Sequence, residues 1–205
     1  MELENIFTQY QQLKNLMQPY RSAMSLVKSK LESIDDELKC AENHSPIHSI
    51  QMRIKSPESI LEKLTRKNLP LNTEGMKELN DIAGVRVVCH YLNDIQYIAQ
   101  LLIMHEDIHL VRKANYIEYP KESGYRSLHL VVKVPIYLKD RVENIPVEIQ
   151  MRTIAMDCWA TLEHELLYKN NHQVSDEVHI RLKECADRIA ITDAELQKIY
   201  QELNN

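Results

Sequence analysis

A carboxylate in the middle of a predicted strand is the first feature of this sequence that suggests chemistry. The segment 141–151 alternates in polarity, so its apolar side chains share one face while Glu148 and Gln150, continued by Arg152, share the other. A carboxylate at such a position must be solvated in a cleft, paired with a base or bound to a metal. The alternative interpretation is an ordinary exposed sheet face.

Asp81 is a second acid that could act together with Glu148. It lies just before the predicted strand 83–90, so the two carboxylates are a plausible pair for Mg²⁺. Magnesium takes a few carboxylates together with waters and substrate phosphates. Taken alone, an Asp at this place is more often a turn or cap residue. Because alternate residues of a strand point to opposite faces, the spacing of five residues does not put Asp81 and Arg86 on one face.

Basic residues precede these acids and could form a cradle for phosphates. Arg53 and Lys55 share a face of the predicted strand 48–55, and Lys63 and Arg66 share one side of the helix that follows. The other interpretation is a solvated helix face. The chain has only three glycines, which excludes both the glycine-rich dinucleotide fingerprint and the P-loop. A phosphate site must therefore be built from side chains.

The loop 121–129 is a second candidate for ligand binding. Tyr125 stands beside Gly124 and between basic residues, so its ring could stack on a nucleobase. The pattern alone is equally typical of a hairpin-like loop with a surface tyrosine.

The elements that must position these residues predict an α/β or α+β fold with a mixed five-stranded sheet. Strands are predicted at 48–55, 83–90, 108–113, 127–137 and 141–151, and the helices between them at 56–68, 93–104 and 153–169. Heptad-like apolar stripes run from Leu13 to Leu38 and from Val178 to Ile199, and Pro19 is expected to break or kink the first helix. The stripes fit packing within the protomer, self-association, or both.

Composition narrows the function classes. The chain has 205 residues, 44% of them hydrophobic, and a net charge of −5. This balance does not favour a bulk electrostatic nucleic-acid binder. We expect no DNA partner, whereas RNA binding at a local basic groove stays open. No apolar run reaches the roughly 18 residues of a membrane span and the first residues show no signal-peptide pattern, so we expect a cytoplasmic protein. Buried thiols are expected at Cys89, Cys158 and Cys185.

Four segments occur in an order that resembles a known family. They are RIKSPESILEKL at 53–64, DIAGVR at 81–86, SGYRSLH at 123–129 and EIQMRT at 148–153, followed by WATLEH at 159–164. Together they resemble the RelA/SpoT-type alarmone synthetase domain over about 44–170, and the length is similar to that of a stand-alone small alarmone synthetase. The resemblance implies a single synthetase domain with N-terminal helices at 1–43, a catalytic core at 44–170 and a C-terminal helix at 171–205.

The resemblance also implies an activity and roles for residues. Family members transfer pyrophosphate from ATP to the 3′-hydroxyl of GDP or GTP, giving ppGpp or pppGpp and AMP, in the stringent response. The implied ATP-binding residues are Arg53 and Arg86 on adenine, and Lys55, Lys63 and Arg66 on the phosphates. The implied catalytic and Mg²⁺-binding residues are Asp81 and Glu148, with Glu148 also placed to polarise or deprotonate the acceptor hydroxyl. The implied GDP/GTP-binding residues are Lys121, Tyr125, His129, Gln150 and Asp157. A homotetramer formed through the terminal helices is implied as well.

One segment departs from the family pattern. A basic residue followed by Asp-Tyr-Ile is common there, whereas this chain has Lys113-Ala114-Asn115-Tyr116-Ile117. A shift of one residue changes the face of a strand. The resemblance therefore does not extend to acceptor-phosphate contacts at this place or to a preference between GDP and GTP.

Three other functions remain compatible with the sequence. A synthetase-like toxin would pyrophosphorylate adenosine nucleotides or the 3′ end of tRNA with the same donor motifs. A non-catalytic nucleotide-sensing or RNA-binding oligomer would not need the intact acids. A generic nucleotidyltransferase would release pyrophosphate instead of transferring it.

Overall fold

The computed structural model describes residues 2–169 and 174–204. Six helices and five strands follow in the order α1 (Glu2–Glu42), β1 (Ile47–Ile54), α2 (Pro57–Arg66), α3 (Thr73–Lys77), β2 (Ala83–Cys89), α4 (Leu92–Ile103), β3 (His109–Asn115), β4 (Leu128–Tyr137), β5 (Val142–Thr153), α5 (Ile154–Lys169) and α6 (Asp176–Asn204). The predicted boundary at 170/171 lies outside the described residues. None of the helices in the described part is both long and apolar enough to cross a membrane.

The five strands form one mixed sheet, which confirms the predicted fold class. Their order is β1-β2-β5-β4-β3, with β2 and β5 parallel and the other pairs antiparallel. Alternate residues such as Val85, Leu130 and Ile149 are buried in a single core, to which α1 and α4 contribute. The opposite face of the sheet is left for the polar side chains.

The start of α2 follows the local sequence as predicted. The Ser56 hydroxyl accepts a hydrogen bond from the Ser59 amide, and Pro57 occupies the first turn, where no amide donor is needed. The helix ends two residues before the predicted position, since Asn68 takes a left-handed conformation with φ 53°. The short α3, whose N-cap is Asn72, was not predicted from the sequence.

The predicted break at Pro19 is wrong, because α1 continues through it as one helix of 41 residues. Proline removes one hydrogen bond from a helix interior. Here Met17, Tyr20 and Met24 are buried against the core on both sides of Pro19, and this packing holds the helix together. The side chain of Leu13, the first predicted stripe position, lies outside the described residues.

The C-terminal stripe is divided between the packed side and the outer side of α6. In α6 the residues buried against the protein are Ala186, Asp193 and Gln197, whereas Leu196 and Ile199 of the predicted stripe are exposed. Leu182 and Ile189 of the stripe pack against the cluster that contains Trp159 and Ala186, so it is the C-terminal end of the stripe that faces outward. Cys158 of α5 and Cys185 of α6 are exposed, which corrects their prediction as buried thiols. Cys89 is buried as predicted, and desolvation raises the pKa of its thiol.

Candidate active site

Two rows of side chains cross the polar face of the sheet from one edge to the other. The strand register aligns the first row as Arg53, Gly84, Glu148, Val131 and Arg112. The neighbouring row consists of Gln51, Arg86, Gln150, His129 and Ala114. Residues that are far apart in sequence therefore form one continuous surface.

A cleft of about 560 Å³ covers the β1 side of this face. Its walls are Gln51, Met52, Arg53, Lys55, Asp81, Gly84, Val85, Arg86, Glu148 and Gln150. Asp81 and Arg86 both line it, although strand parity separated them. Parity does not apply, because Asp81 precedes the first strand residue, Ala83.

Asp81 is half-buried and held by two lysines. The ammonium groups of Lys55 and Lys63 both donate hydrogen bonds to its Oδ2. Burial alone would raise the pKa of the Asp81 carboxyl, but the hydrogen bonds and charges of the two lysines outweigh burial and keep the pKa below its ordinary value. The other oxygen, Oδ1, is buried and has no hydrogen-bond partner among the described residues. A free acceptor oxygen therefore remains on an ionised carboxylate.

Glu148 is the second acid of the cleft. Its Oε2 accepts a hydrogen bond from Gln150 at 3.0 Å, and its Oε1 lies 3.7 Å from Nδ1 of His129. The interaction with His129 lowers the pKa of Glu148 most, burial opposes it, and Gln150 lowers the pKa further. Both acids are consequently ionised at neutral pH.

A smaller recess of about 190 Å³ lies on the β3 side of Glu148. It is lined by Arg112, Ala114, Tyr116, Lys121, His129, Val131 and Glu148. Glu148 is thus common to both cavities. The recess is rich in rings and positive charge, since Tyr116 packs edge-on against His129 and the Lys121 ammonium lies 4.9 Å from the centre of the Tyr116 ring.

Tyr125 is not part of the recess lining, but it contacts two lining residues, His129 and Lys121. The Tyr125 hydroxyl is 2.8 Å from Nε2 of His129 and accepts a hydrogen bond of 2.6 Å from Arg152. Lys121 also lies over the Tyr125 ring at 4.8 Å. The loop residues that were singled out around Tyr125 are therefore brought together with His129.

Arg152 connects the two halves of the site. It was not predicted as a site residue from the sequence. It is 5% exposed, and its guanidinium donates to Asp157 at 3.1 Å, to Tyr125 and to Gln150 at 3.2 Å. The signal was present, because Arg152 continues the polar alternation of Glu148 and Gln150. Arg112 was also missed.

Three predicted residues take positions different from those expected. Arg66 is exposed at the end of α2 and lines neither cavity. Gln150 lines the larger cleft, and Asp157 lies 3.5 Å from Arg86 of that cleft, so neither residue lines the smaller recess.

Near the segment 113–117, which departs from the family pattern, the basic residue at the site is not Lys113. Arg112 and Ala114 face the smaller recess, whereas Lys113 reaches towards Gln96 of α4, with 3.5 Å between its Nζ and the amide oxygen. The positive charge beside the recess is therefore that of Arg112.

The acids fit a magnesium ion. Asp81 and Glu148 line the same cleft and are close enough for the charge of Asp81 to raise the pKa of Glu148. Asp81 also keeps its free oxygen. No cluster of three His, Cys, Asp or Glu residues occurs in the described ranges, but Mg²⁺ bound with substrate phosphates needs only one or two carboxylates.

Comparison with known proteins identifies the class. Residues 52–173 match the model of the region found in RelA/SpoT proteins. The chain therefore belongs to the RelA/SpoT family, as its four motifs predicted.

Particular relatives match nearly the whole chain. GTP pyrophosphokinase YwaC of Bacillus subtilis (strain 168) is 39% identical over 203 residues, which is 98% of this chain and 97% of that protein. The small alarmone synthetase 1 from Bacillus subtilis bound to its product pppGpp is 37% identical with a TM-score of 0.87, covering 95% of this chain and 100% of that one. The same synthetase bound to AMPCPP is 33% identical with a TM-score of 0.80, covering 94% of this chain and 98% of that one.

Proposed function

We propose that this protein is a small alarmone synthetase of the stringent response. It transfers the β,γ-pyrophosphate of ATP to the 3′-hydroxyl of GDP or GTP and releases AMP. Two relatives support this: one is named a GTP pyrophosphokinase, and one was solved with pppGpp. The observation that carries the proposal is the position of Glu148, which lines both the larger cleft and the smaller recess. An enzyme that transfers a group from one nucleotide to another must bring the donor phosphate and the acceptor hydroxyl together, and a polar group shared by both cavities stands where they would meet.

The larger cleft is proposed as the ATP site. Arg53 and Arg86 both line it, and planar guanidinium groups stack well on a purine. Lys55 and Lys63, which both pair with Asp81, hold the phosphates on that side of the cleft. Arg66 lies on the same helix as Lys63 and adds a more distant positive charge. AMPCPP bound to a relative of the same fold supports a donor site of this kind.

The smaller recess is proposed as the acceptor site. Tyr125 and Tyr116 offer aromatic surfaces for guanine, and Lys121, Arg112 and His129 offer positive or hydrogen-bonding groups for the phosphates. Gln150 and Asp157 are linked to Tyr125 through Arg152, which donates hydrogen bonds to all three, and they are proposed to contact the acceptor from this side.

The chemistry follows from this placement. The 3′-oxygen of the acceptor attacks the β-phosphorus of ATP, and the bond between that phosphorus and the α,β-bridging oxygen breaks, so AMP leaves with the electron pair. Glu148 accepts a hydrogen bond from the 3′-hydroxyl and takes its proton as the oxygen–phosphorus bond forms. Because the pKa of Glu148 is lowered, it is a weak base, and its main contribution is to orient the oxygen. Mg²⁺ held by Asp81 and Glu148 would neutralise phosphate charge. The lysines of the cleft add to that neutralisation.

A product assay tests the function. Purified protein is incubated with Mg²⁺, γ-labelled ATP and, separately, GDP, GTP, ATP or deacylated tRNA. Label in ppGpp or pppGpp with release of AMP is expected, and the ratio of the two products gives the acceptor preference. Label in adenosine nucleotides or tRNA would favour the toxin hypothesis. Label released as pyrophosphate would indicate a nucleotidyltransferase, and binding without transfer would indicate a sensing protein.

We also propose that the protein is cytoplasmic and forms homotetramers. ATP and GTP are cytoplasmic metabolites, and no membrane partner is required. The outer faces of α5 and α6 carry exposed apolar side chains, including Leu162, Leu166, Ile191, Leu196 and Ile199. Burial of such a surface between copies stabilises an oligomer.

A further inference from the structure

The loop that carries Tyr125 is fastened to α6 on the side away from the recess. The guanidinium of Arg126 donates to the Asp187 carboxylate at 2.9 Å and to the Ala186 carbonyl oxygen at 3.4 Å. It also donates to the carbonyl oxygen of Gly124 at 3.0 Å. One side chain therefore ties the backbone of the loop to the last helix, across sixty residues of sequence.

The contact between the loop and α6 is close. Gly124 has φ +90°, and a Cβ at this residue would lie 2.7 Å from the Cβ of Ala186. A small residue is thus needed on each side. Ala186 and Trp159 form a buried cluster against which Tyr125 packs, and the Trp159 indole donates to the Leu182 carbonyl oxygen of α6 at 2.9 Å.

These contacts hold Tyr125 from behind while its hydroxyl faces His129 and Arg152. A flexible loop must be ordered before its ring can bind a base, and that ordering costs conformational entropy. A loop that is already held against a helix loses less conformational entropy when the ligand binds.

We propose that Asp187 of α6 is a positioning residue for acceptor binding, acting through Arg126. The inference deepens the proposed function and rests on it, since it takes the recess beside Tyr125 as the acceptor site. Asp187 touches neither cavity and contributes only by holding the loop.

The test compares steady-state kinetics of the wild type, Asp187→Ala and Asp187→Glu. Asp187→Ala is expected to raise the KM for GDP or GTP roughly three- to fivefold, the size of effect of one partly exposed ion pair. The KM for ATP stays unchanged. Asp187→Glu keeps the carboxylate and is expected to restore most of the acceptor affinity. A second variant, Ala186→Leu, pushes the loop away without changing a charge and should raise the same KM.

Glu184→Ala is the matched control. Glu184 forms an exposed ion pair with Arg188 on the same helix, and among the described residues it makes no hydrogen bond or ion pair with the loop. Trp159, the only tryptophan of the chain, reports on the packing of α6 through its fluorescence. Unchanged emission in Asp187→Ala shows that the helix remains in place.

The outcomes separate the inference from the function. A wild type that makes no ppGpp or pppGpp contradicts the proposed function, and calorimetric binding of GDP then tests Asp187 alone. If the wild type is active and Asp187→Ala has a normal acceptor KM, the positioning role is wrong. Equal losses for ATP and GDP together with shifted Trp159 emission would indicate a general structural role and would also overturn the inference.

Discussion

Arg53 and Glu148 stand on opposite sides of Gly84, in one cross-strand row of the sheet. Because Gly84 has no side chain, the floor of the larger cleft is open between a guanidinium and a carboxylate. This part of the row therefore runs from Arg53, the proposed contact of the adenine base, to Glu148, the proposed contact of the reacting hydroxyl.

We predict that Gly84→Val obstructs the ATP site without unfolding the protein. A Cβ at Gly84 meets its nearest neighbour, the Arg53 carbonyl oxygen, at 3.4 Å, which is ordinary contact. Valine also suits a strand. The added methyl groups fill the cleft floor, so the KM for ATP is expected to rise on the order of tenfold while the KM for GDP changes little. Thermal unfolding and Lys133→Ala, on the same sheet face outside the cleft, serve as controls. A normal ATP KM would show that the nucleotide does not cross this floor.

Removal of either acid is predicted to stop synthesis while the fold survives. Glu148→Gln keeps the shape and the neighbours Gln150 and His129 but loses the charge, so kcat is expected to fall by about 10²–10⁴-fold. Asp81→Asn should lose activity and raise the Mg²⁺ concentration needed for what remains. Circular dichroism checks folding. A fully active Glu148→Gln enzyme would refute the role proposed for this acid.

Tyr125 offers a graded test of the acceptor site. Tyr125→Ala removes the ring and should mainly raise the acceptor KM, since base stacking on an aromatic side chain contributes about 1–3 kcal/mol. Tyr125→Phe keeps the ring but loses the hydroxyl contacts with His129 and Arg152, so its effect is expected to be smaller. Initial rates at varied GDP and fixed ATP measure the difference. An unchanged KM in Tyr125→Ala would argue against stacking.

The sequence predicted the strands, the mixed sheet and the polar face, because strand periodicity and four ordered motifs carry that information. It did not reveal which cavity each side chain lines. Asp81 and Arg86 appeared to be on different faces, since parity says nothing about a residue that precedes the strand. Arg152 was passed over because its contacts with Tyr125 and Asp157 come from different elements.

The exposure of the C-terminal end of the α6 stripe could not be predicted for a related reason. Its apolar stripe marks a surface that can be buried, but not the partner that buries it. The residues that hold the helix to the core include two polar ones, Asp193, which accepts a hydrogen bond of 2.6 Å from Thr153, and Gln197, which accepts one of 2.9 Å from the Asn93 amide. Hydrophobic periodicity does not detect contacts of this kind.

Asp193 is predicted to make stability fall as the pH rises. Desolvation raises the pKa of its carboxyl, and the hydrogen bond from Thr153 opposes this only in part. The folded state therefore holds its proton more tightly than the unfolded chain, so this contribution is complete below the unfolded pKa and is lost as the pH rises through the folded pKa. Asp193→Asn, with no proton to lose, should show a smaller drop in Tm between pH 4 and pH 7. Equal drops in wild type and variant would exclude this effect.

The exposed stripe of α6 is predicted to join copies of the chain. Ile191, next to this stripe, is 72% exposed in the protomer, and Leu196 and Ile199 of the stripe are exposed on the same helix. Ile191→Glu would bury a carboxylate at such a contact, which costs more than the association gains, so light scattering coupled to gel filtration should show smaller particles than the wild type. Gln201→Glu adds the same charge at an exposed polar position of the helix and should leave the particle size unchanged. A wild type that is already monomeric at micromolar concentration would rule out the proposed tetramer.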